Sequence, residues 1–212
     1  MSPRLAGMEA VLPGLAASAP ETLPFAPSQE IRAFLLERAA GNVLVYSAGG
    51  LEPGVAVARR YLNHRHEAMF PPGPIDAPLF VHERERASVE EAMHVRGTFS
   101  RRHLVDEDFE VIPTPGHTPG ATAYLWDGGT HRFLFTGDTI HLRDGEWVAA
   151  VLASSDRAAY LDSLELIRGL DFDVLVPWAA SAGGPFYAVT SRAGARRRID
   201  ELIRRVWNGE DG

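Results

Sequence analysis

Apolar positions in this chain fall into short dense runs before they settle into longer periodic stretches. Residues 78–81, 109–112, 122–126, 133–135 and 174–176 are almost continuously apolar, which is how strands buried on both faces read. Elsewhere the spacing is helical. Residues 88–95 form one candidate. Residues 155–170 form a stronger one, with Ser155 as cap, Asp156 in the first turn, Tyr160, Leu164 and Ile167 on one stripe, and Gly169 near the end. Residues 191–206 form the last, with Ile199, Leu202, Ile203 and Val206 facing inward and arginines outward. Residues 31–46 fit either a short helix after Ser28 or a hairpin turning at Ala39-Ala40-Gly41-Asn42. Residues 1–27 hold five of the fifteen prolines and little periodicity, so they read as an irregular arm preceding a single domain over 28–212. Strands first, then helix, strand and helix, with no internal repeat, predict a layered α/β fold.

Composition narrows the chemistry. With 212 residues, 45% hydrophobic, 23% charged and a net charge of -7, the chain suits a globular domain that buries roughly 70–75% of its unfolded surface. There is no cysteine, so disulfides, thiolate ligands and a thiol nucleophile are excluded, leaving His, Asp and Glu for metal chemistry. All 21 basic residues are arginine, which excludes lysine Schiff-base and phosphate-loop chemistry; the arginine and alanine excess points to a GC-rich genome. Arg192, Arg196, Arg197, Arg198, Arg204 and Arg205 form one basic stretch, read as a solvated helix face, so no nucleic-acid partner is expected. No apolar run approaches the ~20 residues of a membrane span, and the small-residue stretch 16–19, broken off by Pro13, makes a poor leader. A cytoplasmic protein without membrane contact is the expectation.

Three segments put metal-capable side chains at turns next to predicted strands: Asn63-His64-Arg65-His66-Glu67, Pro113-Thr114-Pro115-Gly116-His117-Thr118-Pro119-Gly120, and Phe135-Thr136-Gly137-Asp138-Thr139. In an extended segment His64 and His66 point the same way and can present both rings to one ion. Two prolines and two glycines hold His117 at a rigid loop tip. Asp138 follows Gly137 off the end of a strand, where α/β proteins bind ligands.

In this order and spacing, the three segments resemble the metallo-beta-lactamase fold superfamily, marked by a His-x-His-x-Asp-His loop, a Pro-Gly-His-Thr loop and a Gly-Asp after a strand. The likeness spans most of residues 31–180. It implies an αββα sandwich of two mixed β-sheets flanked by helices, which favours the hairpin for 31–46. It also implies His64, His66, His117 and Asp138 as metal ligands. The departures are equally specific. Ala68-Met69 stands where the family has Asp-His, and Trp178-Ala179 where it has Gly-His, so three ligands of a two-metal site are missing and neither alanine nor methionine replaces them for a hard ion.

The expectation is one divalent metal, with zinc preferred and iron the alternative, activating water to cleave a small ester, thioester, amide or lactone. Asp138 serves as ligand or base, and His141, three residues on, is a second candidate for proton transfer. Glu67 stands one position before the missing Asp and is expected to point away from the ligands. His82, His94, His103 and His131 are read as ordinary polar groups, and Trp178, Phe186 and Tyr187 as pocket lining or plain packing. The partner is a small-molecule substrate; a homo-oligomer is possible through the apolar face of the last helix. Two readings compete with the hydrolase: a catalytically inactive relative that binds or scaffolds, and an iron-dependent dioxygenase of a sulfur substrate.

Overall fold

A computed structural model describes residues 7–49, 54 and 56–210. Its strands form three hydrogen-bonded sheets of seven, six and five strands, where two sheets were expected. The seven-stranded sheet runs, in spatial order, Met8–Leu12, Leu15–Ser18, Phe34–Leu36, Val43–Val45, Arg59–Tyr61, Leu79–His82 and Gly97–Phe99. The six-stranded sheet runs His103–Asp106, Phe109–Pro113, Thr122–Asp127, Arg132–Gly137, Val174–Pro177 and Ala188–Val189. Both mix parallel and antiparallel pairs. The third runs Glu146–Val148, His141–Arg143, Ala179–Ser181, Ala26–Ile31 and Glu21–Leu23.

Strand alternation builds the layers. On the six-stranded sheet, Phe109, Val111, Tyr124, Trp126, Phe133 and Phe135 face the seven-stranded sheet and meet Phe34, Val43 and Val45. Their neighbours Ile112, Ala123, Leu125, Leu134 and Leu175 face the other way, onto two helices. Period-two side chains pointing to opposite faces explain why these runs look continuously apolar in sequence: both faces are covered. Three α-helices occur among the described residues: α1 (Arg86–Val89), α2 (Arg157–Gly169) and α3 (Arg192–Asn208). Helix α2 starts at Asp156, whose carboxylate accepts from the Ala159 N–H at 3.1 Å, one residue beyond the expected Ser155 cap. Helix α3 starts at Ser191, whose hydroxyl accepts from the Gly194 N–H at 3.1 Å, and stops at Gly209 in the left-handed region. Its apolar face, Ile199, Leu202 and Val206, is buried against α2 within the same chain. No helix is long and apolar enough to cross a membrane.

One expectation holds and two change. Residues 31–46 form the hairpin, Phe34 opposite Val45 and Leu36 opposite Val43. The proline-rich start, outside residues 1–6, which lie beyond the described residues, is no irregular arm. Residues 8–18 pair as a hairpin on the edge of the seven-stranded sheet, and residues 21–31 add two strands to the five-stranded one. Its prolines, at 13, 20, 24 and 27, fall in turns, in the link before Glu21, or at the second residue of Ala26–Ile31 ahead of its pairing with Ala179–Ser181, where no ladder donor is needed, and they cut the segment into strands of three to six residues. The helix expected at 88–95 is a single turn at Arg86–Val89; only Val89, Met93 and Val95 are needed to cap their side of the sheet.

Candidate metal centre

Three loops meet at one end of the sandwich. The first leaves the strand Arg59–Tyr61. His64 is extended, with φ −156° and ψ 168°, and Arg65–Met69 then wind into a short 3-10 helix. His66 thus sits on a helical turn, not on the extended segment expected. The two rings still converge, with centroids 4.9 Å apart and perpendicular, because the turn begins directly after His64. The Glu67 carboxylate folds back beneath them. Its Oε1 accepts from the backbone N–H groups of Asn63 at 2.7 Å and His64 at 3.0 Å and lies 3.1 Å from His64 Nδ1. Glu67 is fully buried; it was expected to point away from the ligands, but the 3-10 turn brings its carboxylate against His64 from behind, and its task is to hold that ring.

The second loop carries His117. Gly116 has φ +141°, and a Cβ there would lie 2.4 Å from the Tyr160 Cα, so only glycine lets α2 pack against this loop. Its backbone is fastened from several sides: Ser163 Oγ donates to the Pro115 carbonyl at 2.6 Å, Ser155 Oγ to the His117 carbonyl at 3.1 Å, and His117 Nδ1 lies 2.6 Å from the Ala150 carbonyl. A second buried glutamate, Glu85, ties this loop to the first by accepting from the Gly120 N–H at 2.6 Å and the Arg65 N–H at 3.0 Å. Nothing in the sequence around Glu85 marks that role.

The third loop ends the strand Arg132–Gly137. Gly137 has φ +55°, and a Cβ there would collide with the Asn63 side chain at 2.1 Å. Its N–H donates to Tyr46 Oη at 2.7 Å, and that hydroxyl donates to the Val176 carbonyl at 2.7 Å. Tyr46 itself lies at φ +70°, a strained backbone for a bulky residue and one that the surrounding packing has to hold. On the other side the Tyr160 hydroxyl donates to the Thr139 carbonyl at 2.6 Å. Asp138 is held between these anchors.

Sequence reading singled out His64, His66, His117 and Asp138, and the fold brings all four together, one ligand atom from each lying within 4.8 Å of the others. Asp138 Oδ2 is 3.4 Å from His64 Nε2 and 3.7 Å from His117 Nε2, and His66 Nδ1 is 3.2 Å from His117 Nε2. The outward contacts decide the tautomers. His64 and His117 each place Nδ1 against an oxygen behind the ring, so that in its neutral form each directs the Nε2 lone pair inward, the arrangement by which carboxylates and carbonyls orient metal-binding histidines. His64 Nε2 and Asp138 Oδ1 are buried without any hydrogen-bond partner. Inward lone pairs and orphaned buried atoms around one point fit a divalent cation.

Electrostatics agree with an anion-rich centre. Burial opposes charging His64, but the Asp138 carboxylate and then Glu67 overcome it and lift its pKa to about 10. Burial and the nearby His64 charge push His66 and His117 down to about 4. Burial would raise Asp138, yet His64, His117 and His141 hold it well below the ordinary carboxylate range. A proton on His64 does in this arrangement what a cation would do: it neutralises Asp138.

A cavity of about 430 Å³ opens beside the cluster, a size suited to a small molecule. His66, His117, Asp138 and His141 line it together with Leu23, Phe25, Met69, Leu152, Trp178 and Ala179, and Gln29 and Arg143 also reach it. His141 is buried with both ring nitrogens unpartnered, and burial lowers its pKa. Trp178 lines the cavity, whereas Phe186 packs in the core and beneath Arg32, and Tyr187 packs on Phe186. His82, His103 and His131 are satisfied by nearby backbone or carboxylate groups, and His94 is exposed.

The family model described as "Metallo-beta-lactamase superfamily" matches residues 37–179. The chain belongs to the metallo-beta-lactamase superfamily. A hydroxyacylglutathione hydrolase from Xanthomonas axonopodis pv. citri is 33% identical over 123 residues, which is 50% of this chain and 44% of that protein. The chain thus aligns with less than half the length of that relative. Solved structures of the superfamily share the fold at lower identity. A metallo-beta-lactamase from Pseudomonas aeruginosa in its mono-zinc form gives a TM-score of 0.69 at 14% identity, covering 96% of this chain and 95% of its own. A superfamily protein from the archaeon Sulfolobus tokodaii gives 0.62 at 14%, covering 92% and 86%.

Proposed function

We propose that the protein is a hydrolase with a single divalent metal, preferably zinc, held by His64, His66, His117 and Asp138, acting on a small ester, thioester, amide or lactone. The observation that carries it is the convergence of these four donors, with His64 and His117 locked from behind so that their free lone pairs face one point. Three imidazoles leave the fourth position of a tetrahedral zinc for water, with the Asp138 carboxylate beside it as a further ligand or as a base. When bound, the ion supplies Lewis acidity and a water nucleophile at neutral pH. Asp138 brings Oδ2 to the cluster, where it serves as a ligand or as the base that orients water. His141, neutral and unpartnered in the cavity wall, offers a ring nitrogen for moving a proton to or from the leaving group. The thioester among these bonds gains support from the partial relative from Xanthomonas, named a hydroxyacylglutathione hydrolase. Only one ion is expected, because Ala68, Met69 and Ala179 place no donor on the far side of Asp138.

Elemental analysis of protein purified without chelator or nickel resin, beside a His117→Ala variant, tests this. About one zinc per chain in the parent and none in the variant supports the reading; iron in its place after anaerobic purification turns it toward oxidation of a sulfur substrate. Protein that holds no metal and takes none up overturns it in favour of a binding protein.

A further inference from the structure

Much of the cavity lining beside the ligand cluster is hydrocarbon, and part of it is exposed at the surface. Six large hydrophobic side chains stand exposed among the described residues, and three of them, Phe25 (68%), Met69 (56%) and Leu152 (41%), ring this one mouth. Exposed apolar side chains scattered singly need no explanation; three gathered at the rim of a polar centre do. They come from separate parts of the chain: the turn between the strands Glu21–Leu23 and Ala26–Ile31, the end of the first ligand loop, and the stretch before Asp156. Deeper in, Trp178 meets His64 edge to face at 5.3 Å, and its Nε1–H is spent on the Ser47 carbonyl at 2.8 Å. The indole therefore offers the cavity only carbon. The same cavity is lined by His66, His117 and Asp138, so an occupant against the apolar lining has its reacting group within reach of the ligand cluster.

We propose that this wall is an acyl subsite: the protein cleaves esters or thioesters whose acyl group is an apolar chain lying along Trp178 toward Leu152 and Phe25. This rests on the hydrolase reading above. Water adds to the acyl carbon, the carbon–oxygen or carbon–sulfur bond breaks, and the products are the apolar carboxylate, the alcohol or thiol carrying one water proton, and one proton released to solvent. Gln29 and Arg143 on the remaining side face the more polar leaving group.

Two measurements keep the subsite and the hydrolase reading apart. Zinc-loaded protein is assayed on p-nitrophenyl esters from acetate to hexanoate, and the binding of 2-octanone and 2-butanone, which carry a carbonyl and a chain but no leaving group, is measured by calorimetry. Each buried methylene is worth roughly fourfold at most, so kcat/KM is expected to rise at least about tenfold along the series. 2-Octanone is expected to bind at least about tenfold tighter than 2-butanone by the same reasoning. Leu152→Glu, at an exposed position that folding tolerates, is expected to collapse both ratios. Chain-length-dependent ketone binding without turnover of any ester keeps the subsite and overturns the hydrolase. Ester turnover with a flat acyl series and equal ketone binding overturns the subsite and keeps the hydrolase. A dimer that Phe25→Glu dissociates, with no preference for the longer ketone, also overturns the subsite, since a second copy would then cover the rim.

Discussion

The two sides of the cavity are built on opposite physical terms. On the ligand side every reacting side chain or its loop is fastened from behind: Glu67 under His64, the Ala150 carbonyl behind His117, Tyr46 and Tyr160 around Asp138, and Glu85 between two of the loops. In the apolar part of the lining Met69, Trp178 and Ala179 present carbon, and the one polar atom of Trp178 is turned away to Ser47. Polar groups need directional partners to hold a geometry out of water, whereas an apolar wall needs only shape. The costs of disturbing each side should differ accordingly.

The largest effect is expected from His117→Ala, which removes one of four donors: metal content should fall from about one ion per chain to none by elemental analysis, and hydrolysis with it. Next comes Glu67. Glu67→Ala leaves the N–H groups of Asn63 and His64 buried without an acceptor, so urea denaturation should show a loss of about 3 kcal/mol or more. Glu67→Gln keeps an oxygen in place but removes the charge behind His64; zinc affinity, by competition with a chromogenic chelator, should weaken about 10–100-fold, and unchanged affinity would refute its part in holding that ligand. A smaller effect concerns pH. His64 is raised to about 10 in the folded protein against an ordinary value of 6.5, so in chelated protein its stabilising proton is fully effective below that ordinary value and is lost as pH rises through the folded one. The melting temperature of chelated protein should therefore fall between pH 7 and 10, and zinc-loaded protein should not follow it. The smallest effect belongs to the apolar side. Trp178→Phe loses one hydrogen bond to Ser47 and should cost about 1 kcal/mol, with zinc affinity unchanged.

Much of this was legible before any coordinates. The dense runs at 109–112, 122–126 and 133–135 became the central strands because coverage on both faces leaves no polar position to break the run. Two of the four clustered side chains, His117 and Asp138, were legible because a histidine between Pro-Gly and Thr-Pro-Gly, or an aspartate after a strand-ending glycine, carries its own backbone constraint, and His64 and His66 by their spacing. What stayed hidden had no local signature. The strands of the first 27 residues are shorter than a readable period. Glu85 is one acidic residue in the run His-Glu-Arg-Glu-Arg, indistinguishable from its solvated neighbours until Gly120 and Arg65 are folded against it. His66 was expected on an extended stretch, and the 3-10 turn that carries it closes on Glu67, whose burial no neighbouring residue announces.

By itself, then, the sequence determined the layered α/β class, the superfamily and the four donors, because periodicity, turn residues and ligand types are properties of adjacent positions. Only the tertiary structure decided which oxygens stand behind those donors, that His141 lines the cavity with free nitrogens, and that Phe25, Met69 and Leu152, far apart in the chain, share one rim. Those are contacts across long separations, and they exist only once the sheets have packed and brought the loops at their ends together.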